Sequence, residues 1–205
     1  MDKIKEFFKK NFKDIFKPII VLLAICIVIP LALSVTNRFT KEKIANLESK
    51  NQSETMKLLI DAEAFNEYHF GDDESSEDYF SYFIAEKGGK PVGYIFKTSA
   101  KGYGGDVKVM TAILPDGKVK EVAILDVSNE TPGLGQNASK ENFYSQFKDK
   151  TLGVEVLKNN ADESKNQINA VTGATITSRA VTSAVNRACE NFKLISETEA
   201  KTSEK

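Results

Sequence analysis

The sequence is short of the residues that bind metals and carry out acid–base catalysis. Its 205 residues include only two cysteines, Cys26 and Cys189, and one histidine, His69. The cysteines are far apart in the chain, and no Cys-x-x-Cys pair occurs. Structural zinc sites and iron–sulfur clusters need several closely spaced cysteine or histidine ligands, so neither is expected here. A haem attachment sequence and a cysteine–histidine hydrolase site are not expected either.

The chain also lacks the excess of basic residues that is typical of nucleic-acid-binding proteins. It carries 28 Lys and Arg residues against 29 Asp and Glu residues, for a formal net charge of −1. The basic residues are in excess only in residues 1–17, where six lysines face three acidic residues. No nucleic-acid partner is therefore expected.

One uncharged stretch of 18 residues runs from Pro18 to Val35. As a helix it would be roughly 27 Å long, close to the thickness of the hydrocarbon core of a bilayer. We therefore predict a single transmembrane helix over residues 18–36 that is retained as an anchor. A cleaved signal peptide is the alternative, because Ala32-Leu33-Ser34 imitates a small-x-small cleavage site.

The residues that flank this span predict its orientation. Lysines are denser before the span than after it, so the positive-inside rule predicts a cytoplasmic N-terminus and an extracytoplasmic C-terminal domain. In residues 1–17, isoleucines and phenylalanines recur on one helical face with lysines on the other, which indicates an amphipathic segment on the inner leaflet. Residues 37–70 are predicted to form a membrane-proximal helical segment.

Beyond the span, the pattern predicts an α+β fold with an antiparallel sheet flanked by helices. Two hairpins are indicated by strand-like runs on either side of short turns that contain glycine. The four predicted strands are Tyr79–Glu86, Pro91–Thr98, Val107–Leu114 and Val119–Val127. A helix over Ser139–Phe147 and a C-terminal helix are expected to cover one face of the sheet.

The most specific motif is the segment Asn169–Ser178, with the sequence Asn-Ala-Val-Thr-Gly-Ala-Thr-Ile-Thr-Ser. The segment is predicted to be a strand or extended segment, a tight turn and the start of a helix, because apolar residues recur at helical spacing from Ser178 onward. Thr177 or Ser178 is the expected N-cap, since a hydroxyl can accept a hydrogen bond from the first turn. The N-terminus of such a helix stabilises a phosphate through free N–H groups and the helix dipole.

Two glycine-rich segments precede this motif. They are Gly102–Gly105, with the sequence Gly-Tyr-Gly-Gly, and Glu130–Gly135, with the sequence Glu-Thr-Pro-Gly-Leu-Gly. Glycines allow the backbone to approach a ligand closely and leave N–H groups available as donors. Neither segment is a Walker motif or a dinucleotide-binding fingerprint.

The three segments, in this order behind one N-terminal span, resemble the G subunit of the Rnf complex, an ion-translocating ferredoxin:NAD oxidoreductase. Within them, Asn169–Thr175 resembles the signature at which a flavin transferase attaches FMN, with Asn169 where the family usually has Asp. The resemblance implies an FMN joined to Thr175 through a phosphoester. It extends over nearly the whole chain and implies an FMN-binding domain at residues 71–195, followed by a polar tail at 196–205.

The resemblance also implies which residues surround the cofactor. Those expected beside the attachment site are Thr172, Gly173, Ala174, Thr177 and Ser178. Those expected near the flavin ring are Gly102, Tyr103, Gly104, Gly105, Glu130, Thr131, Gly133, Leu134 and Gly135. No catalytic acid or base and no metal ligand is assigned, because the cofactor supplies the redox chemistry.

The function implied by the resemblance is electron transfer within a membrane-bound Rnf complex, with no complete activity expected from the chain alone. The implied partners are the other Rnf subunits, membrane lipid and the flavin transferase. Two related alternatives stay open: the C subunit of a sodium-translocating NADH:quinone oxidoreductase, and a free-standing membrane-anchored flavoprotein reductase. An anchored binding domain without a cofactor is a third hypothesis, from a different class.

Overall fold

The computed structural model describes residues 12–71, 79–162 and 164–203. It begins with one long helix, α1, which runs over Phe12–Leu59. Within it, Phe16–Lys41 is long and apolar enough to cross a membrane, with a mean hydropathy of 3.0, and contains the span predicted at 18–36. Residues 1–11 of the predicted amphipathic segment lie outside the described residues.

The chain divides into two compact units, Met1–Gln52 and Ser53–Lys205. In the first unit, all described residues belong to α1. The second unit contains the last turns of α1 and the whole sheet, so it begins before the predicted domain boundary at residue 71.

The prediction of a helical segment over residues 37–70 is correct only as far as Leu59. Residues Ala64–Phe70 form a strand, β1, instead of continuing the helix. The reason is a set of aromatic pairs across to the next strand: Phe70 stacks on Phe80 with ring centroids 5.0 Å apart, and Tyr68 stacks on a second aromatic ring of that strand. Such cross-strand pairs stabilise a sheet and outweigh the helical spacing that continues from α1.

The five-stranded sheet is an antiparallel meander in which each strand pairs with its neighbours in the chain. After β1, its strands are β2 (Phe80–Lys87), β3 (Lys90–Lys101), β4 (Asp106–Ile113) and β5 (Val119–Asp126). These last four strands and the α+β antiparallel class were predicted from the sequence and are confirmed. A separate parallel pair consists of β6 (Glu155–Leu157) and β7 (Gln167–Asn169). The three-residue β6 was not predicted, whereas β7 ends at the first residue of the motif that was predicted to begin as a strand or extended segment.

The helices after the sheet differ in detail from the prediction. The helix expected at Ser139–Phe147 is a four-residue helix, α2 (Glu141–Tyr144), between two 3-10 turns. The C-terminal helix, α3, runs over Thr175–Ser203, so the segment predicted as a polar tail is helical as far as Ser203.

The two faces of the sheet bury two separate clusters of side chains. Alternation along β4 sends Val109 towards one face and Met110 towards the other. The first face packs against α3 and the α2 region, as predicted; its cluster includes Phe96, Val109, Phe143, Phe147, Val181 and Val185. The second face is covered by the end of α1; its cluster includes Met56, Leu59, Ile60, Phe83, Ile95 and Met110.

Two buried threonines on the α3 side of the sheet give a matched test of this packing. The Thr98 hydroxyl donates to the backbone oxygen of Ala184 at 2.9 Å. The Thr111 hydroxyl is fully buried and has no hydrogen-bond partner among the described residues. Thr111→Val should therefore raise the free energy of unfolding by about 1 kcal/mol, because it removes an unsatisfied polar group. Thr98→Val should lower it by about 1 kcal/mol.

Urea unfolding of the full chain in detergent, followed by circular dichroism, measures both changes. A Thr111→Val variant that is less stable than the wild type would contradict the claim that the Thr111 hydroxyl is unsatisfied.

Candidate functional site

The carboxylate of Glu130 joins three segments that are far apart in the sequence. Its side chain is 3% exposed. One oxygen, Oε1, accepts a hydrogen bond from the Gly104 N–H at 2.9 Å. The other, Oε2, accepts one from the Thr177 hydroxyl at 2.5 Å. The loop between β3 and β4, the segment after β5 and the first turn of α3 therefore meet at one buried acid.

The glycines of the two glycine-rich segments make room for this junction. A Cβ on Gly102 would lie 2.3 Å from Glu130 Oε1, and a Cβ on Gly135 would lie 2.7 Å from Oε2. A Cβ on Gly104 would lie 1.9 Å from the backbone oxygen of Asn129. The sequence suggested that these glycines admit a ligand. The structure shows that these three allow protein segments to approach each other.

A tight turn leads into α3. Gly173 adopts φ +77°, a conformation that side chains rarely allow. The Ala174 N–H donates to the backbone oxygen of Val171 at 2.9 Å. The Ser178 hydroxyl donates to the backbone oxygen of Ala174 and accepts from the Val171 N–H, both at 2.9 Å. One side chain therefore braces both ends of the turn.

The predicted N-cap at Thr177 or Ser178 is wrong, because α3 already begins at Thr175. Both hydroxyls lie inside the first turns of the helix. There they bind Glu130 and the preceding turn instead of capping the helix.

A cavity of about 540 Å³ opens beside this junction, and Thr175 lies in its wall. That volume falls within the usual range for pockets that bind cofactors. Three apolar side chains of the lining are exposed, Tyr103 at 72%, Ile176 at 53% and Leu134 at 44%. The full lining is Tyr103, Glu130, Thr131, Leu134, Gly135, Gly173, Ala174, Thr175, Ile176 and Thr177.

The cavity thus brings together members of all three segments singled out in the sequence. Ile176 was missed, although its place directly after Thr175, at the start of a helix, was a usable signal. Some predicted residues lie elsewhere: Ser178 is buried in the turn, and Thr172 lines a neighbouring cavity of about 420 Å³. Four predicted glycines, Gly102, Gly104, Gly105 and Gly133, are not part of the lining.

Asn169, the first residue of the predicted attachment signature, uses its side chain inside the domain. Its Oδ1 accepts from the Ala161 N–H at 2.9 Å. Its backbone N–H donates to Gln146 Oε1 at 2.8 Å, and its backbone oxygen accepts from Gln146 Nε2 at 3.2 Å. An amide oxygen and a carboxylate oxygen can both accept the bond from Ala161. Asn169 therefore retains the acceptor that an aspartate would offer there.

The thiol of Cys189 does not add a nucleophile to the site. Cys189 is buried under the sheet, and this burial raises the pKa of its thiol to about 11, which keeps it protonated. Among the residues that the structure describes, no group of three His, Cys, Asp or Glu side chains could hold a metal ion.

Comparison with known proteins links this geometry to flavin binding. Residues 102–190 match a protein family described as the FMN-binding domain. The match begins at Gly102 and ends at Glu190, so it includes both glycine-rich segments, the turn and the first half of α3.

Two relatives are similar over most of their length. One is the G subunit of a proton-translocating ferredoxin:NAD(+) oxidoreductase complex of Clostridium ljungdahlii, which is 38% identical over 80% of this chain and 84% of its own. The other is the G subunit of a Na(+)-translocating ferredoxin:NAD(+) oxidoreductase complex of Acetobacterium woodii, which is 34% identical over 94% of this chain and 98% of its own.

A solved structure shares the fold. It is the C subunit of the Na(+)-translocating NADH-quinone reductase of Parabacteroides distasonis, with a TM-score of 0.51 and 20% identity over 64% of this chain and 76% of that chain.

The brace formed by Ser178 gives a prediction for the turn before Thr175. Ser178→Ala removes the acceptor of the Val171 N–H, so this amide should exchange with deuterium roughly fivefold faster, which corresponds to about 1 kcal/mol. Mass-spectrometric hydrogen exchange over residues 169–176 measures the change. Ser183→Ala, at an exposed position of the same helix, is the control and should leave the rate unchanged. Equal rates in both variants would show that the turn does not depend on Ser178.

Proposed function

This chain belongs to the family of G subunits of ion-translocating ferredoxin:NAD(+) oxidoreductase complexes, and we propose that it carries electrons through an FMN esterified to Thr175. The observation that supports this most directly is the position of Thr175. It lies at the first residue of α3, in the wall of a cavity of about 540 Å³ where the three segments meet. The FMN-binding family match spans the same segments.

The residues of the cavity fit the chemistry of FMN. The start of α3 offers backbone N–H groups and the positive end of a helix dipole to a phosphate. Tyr103, Leu134 and Ile176 offer apolar surface to a flavin ring. When bound, FMN supplies the uptake and release of electrons, and the protein supplies position and electrostatics. No side chain is needed as a general acid or base.

Among the threonines of the motif, the structure favours Thr175 as the acceptor. Thr175 lines the cavity of about 540 Å³, whereas Thr172 lines the neighbouring cavity. Thr177 also lines the first cavity, but its hydroxyl is bound to Glu130. A separate flavin transferase makes the bond from Thr175 Oγ to the phosphorus of FMN. It does so by breaking the pyrophosphate bond of a flavin dinucleotide, whose nucleoside monophosphate leaves as the Thr175 hydroxyl gives up its proton. The turn residues Thr172 and Gly173 are exposed, so such an enzyme can approach the acceptor from that side.

A covalent bond suits an open site on the outer side of a membrane. Without a covalent bond, the occupancy of the cavity by FMN would depend on the concentration of free FMN. That concentration is not replenished outside the cytoplasm. The exposure of Tyr103, Ile176 and Leu134 leaves the cavity accessible to an electron-transfer partner.

The proposed partners are the other subunits of the complex and the surrounding lipid. The relatives named as G subunits match over most of their length, which favours this assignment over the C subunit of a quinone reductase or a free-standing reductase. The apolar part of α1, Phe16–Lys41, provides the contact with lipid and with neighbouring spans, where small residues such as Ala24 and Ala32 allow close packing.

The covalent linkage predicts a clear difference between two threonine variants. Thr175→Ala should abolish flavin fluorescence of the chain in a denaturing gel and lower its intact mass by that of the attached group. Thr172→Ala should keep both signals, because its hydroxyl is not the acceptor. Flavin that stays with denatured Thr175→Ala would refute the assignment, and loss in Thr172→Ala alone would move the acceptor to Thr172. Both variants are purified from the native host, so that the transferase is present.

The proposed orientation predicts the behaviour of fusion proteins. A reporter enzyme that is active only outside the cytoplasm, fused after Lys205, should be active because the lysines before the span remain inside. A reporter that is active only in the cytoplasm, fused at the same site, serves as the matched control and should be silent. The reverse pair of results would overturn the orientation.

A further inference from the structure

Glu130 places an unusual charge in the wall of the cavity. Its side chain is 3% exposed, and its two oxygens are held by a backbone amide and a hydroxyl, both neutral donors. Of the salt bridges between described residues, none includes Glu130. The charge of this carboxylate is therefore spread over two hydrogen bonds but is not cancelled by a cation.

No cationic side chain in the described part of the lining offsets this charge, and the positive group beside it is the N-terminal end of the α3 dipole. Among the described residues that line the cavity, Glu130 is the only acid, and none is a lysine, arginine or histidine. Its neighbours in the lining are apolar side chains, glycines and threonines. In such surroundings a charge acts more strongly on a nearby group than it does in water.

The junction itself does not require the charge. A glutamine at position 130 can accept from the Gly104 N–H through its carbonyl oxygen and donate to the Thr177 oxygen through its amide. Two hydrogen bonds are kept in that exchange, the one with Thr177 in the reverse direction, and the negative charge is lost. The charge is thus separable from the structural role of the residue.

We propose that the Glu130 carboxylate is a positioning residue that also keeps the reduction potential of the flavin low. This inference rests on the proposed function, because it takes the flavin to be attached at Thr175. Adding electrons to a group beside a fixed negative charge costs Coulomb energy. The flavin is therefore harder to reduce, and its reduced form is a stronger electron donor, than beside a neutral side chain.

Two variants of the full chain, each loaded with its flavin and purified in detergent, separate charge from geometry. Glu130→Gln keeps the hydrogen bonds and removes the charge, so the midpoint potential should shift to a more positive value. Glu130→Asp keeps the charge but shortens the side chain, so the junction is weakened while the potential stays closer to that of the wild type. Spectroscopic redox titration measures the potentials, and urea unfolding measures the stabilities.

A matched control addresses charges at the surface. Glu141→Gln removes the same charge from an exposed position on α2, outside the cavity lining. At high salt it should leave the potential unchanged, because salt screens exposed charges. The shift in Glu130→Gln should persist at high salt, because a buried charge is screened much less.

The outcomes distinguish this inference from the proposed function. An unchanged midpoint potential in Glu130→Gln would overturn the inference. A shift in Glu130→Asp as large as that in Glu130→Gln would also overturn it, because the effect would then come from geometry and not from charge. A wild-type chain without attached flavin would instead overturn the proposed function on which the inference rests.

Discussion

The burial of one carboxylate, that of Glu130, is the constraint on which the site depends. A buried carboxylate needs hydrogen-bond donors, and here they come from Gly104 and Thr177, which are far apart in the sequence. A Cβ at position 102 or 135 would collide with this carboxylate, which explains why Gly102 and Gly135 are glycines. The two glycine-rich segments and the threonine motif are therefore parts of one structure and not three separate ligand loops.

The meander brings these parts to the same end of the domain. Because β3 and β5 are each antiparallel to β4, they run in the same direction, so the loop after β3 and the segment after β5 leave the sheet at one edge. Helix α3 packs on one face of this sheet, and the hydrogen bond from the Thr98 hydroxyl to the backbone oxygen of Ala184 joins it to β3. The first turn of α3 thus meets both segments at the carboxylate of Glu130.

Sequence reasoning was most successful where signals are local. The hairpin turns correctly predicted four strands of the sheet, and the uncharged run correctly predicted the long apolar helix. Short turns and long apolar stretches have few alternative structures. Sequence reasoning failed where contacts between elements decide, since Ala64–Phe70 is a strand because its rings pair with β2. It also placed the start of α3 three residues too late, so Ser178 braces the preceding turn instead of capping the helix. The role of the glycines could not be predicted either, since the clash that they avoid is with Glu130 and Asn129, far away in the sequence.

The proposed covalent bond and the proposed effect of Glu130 are physically connected. FMN is an anion. The start of α3 attracts its phosphate, but Glu130, the only charged lining residue in the described part of the chain, repels it. A basic side chain in the lining would strengthen non-covalent binding, but it would also raise the reduction potential. A bond from Thr175 removes this conflict, because retention of the cofactor no longer depends on attraction. The wall of the cavity is then free to carry the charge that makes the reduced flavin a strong donor.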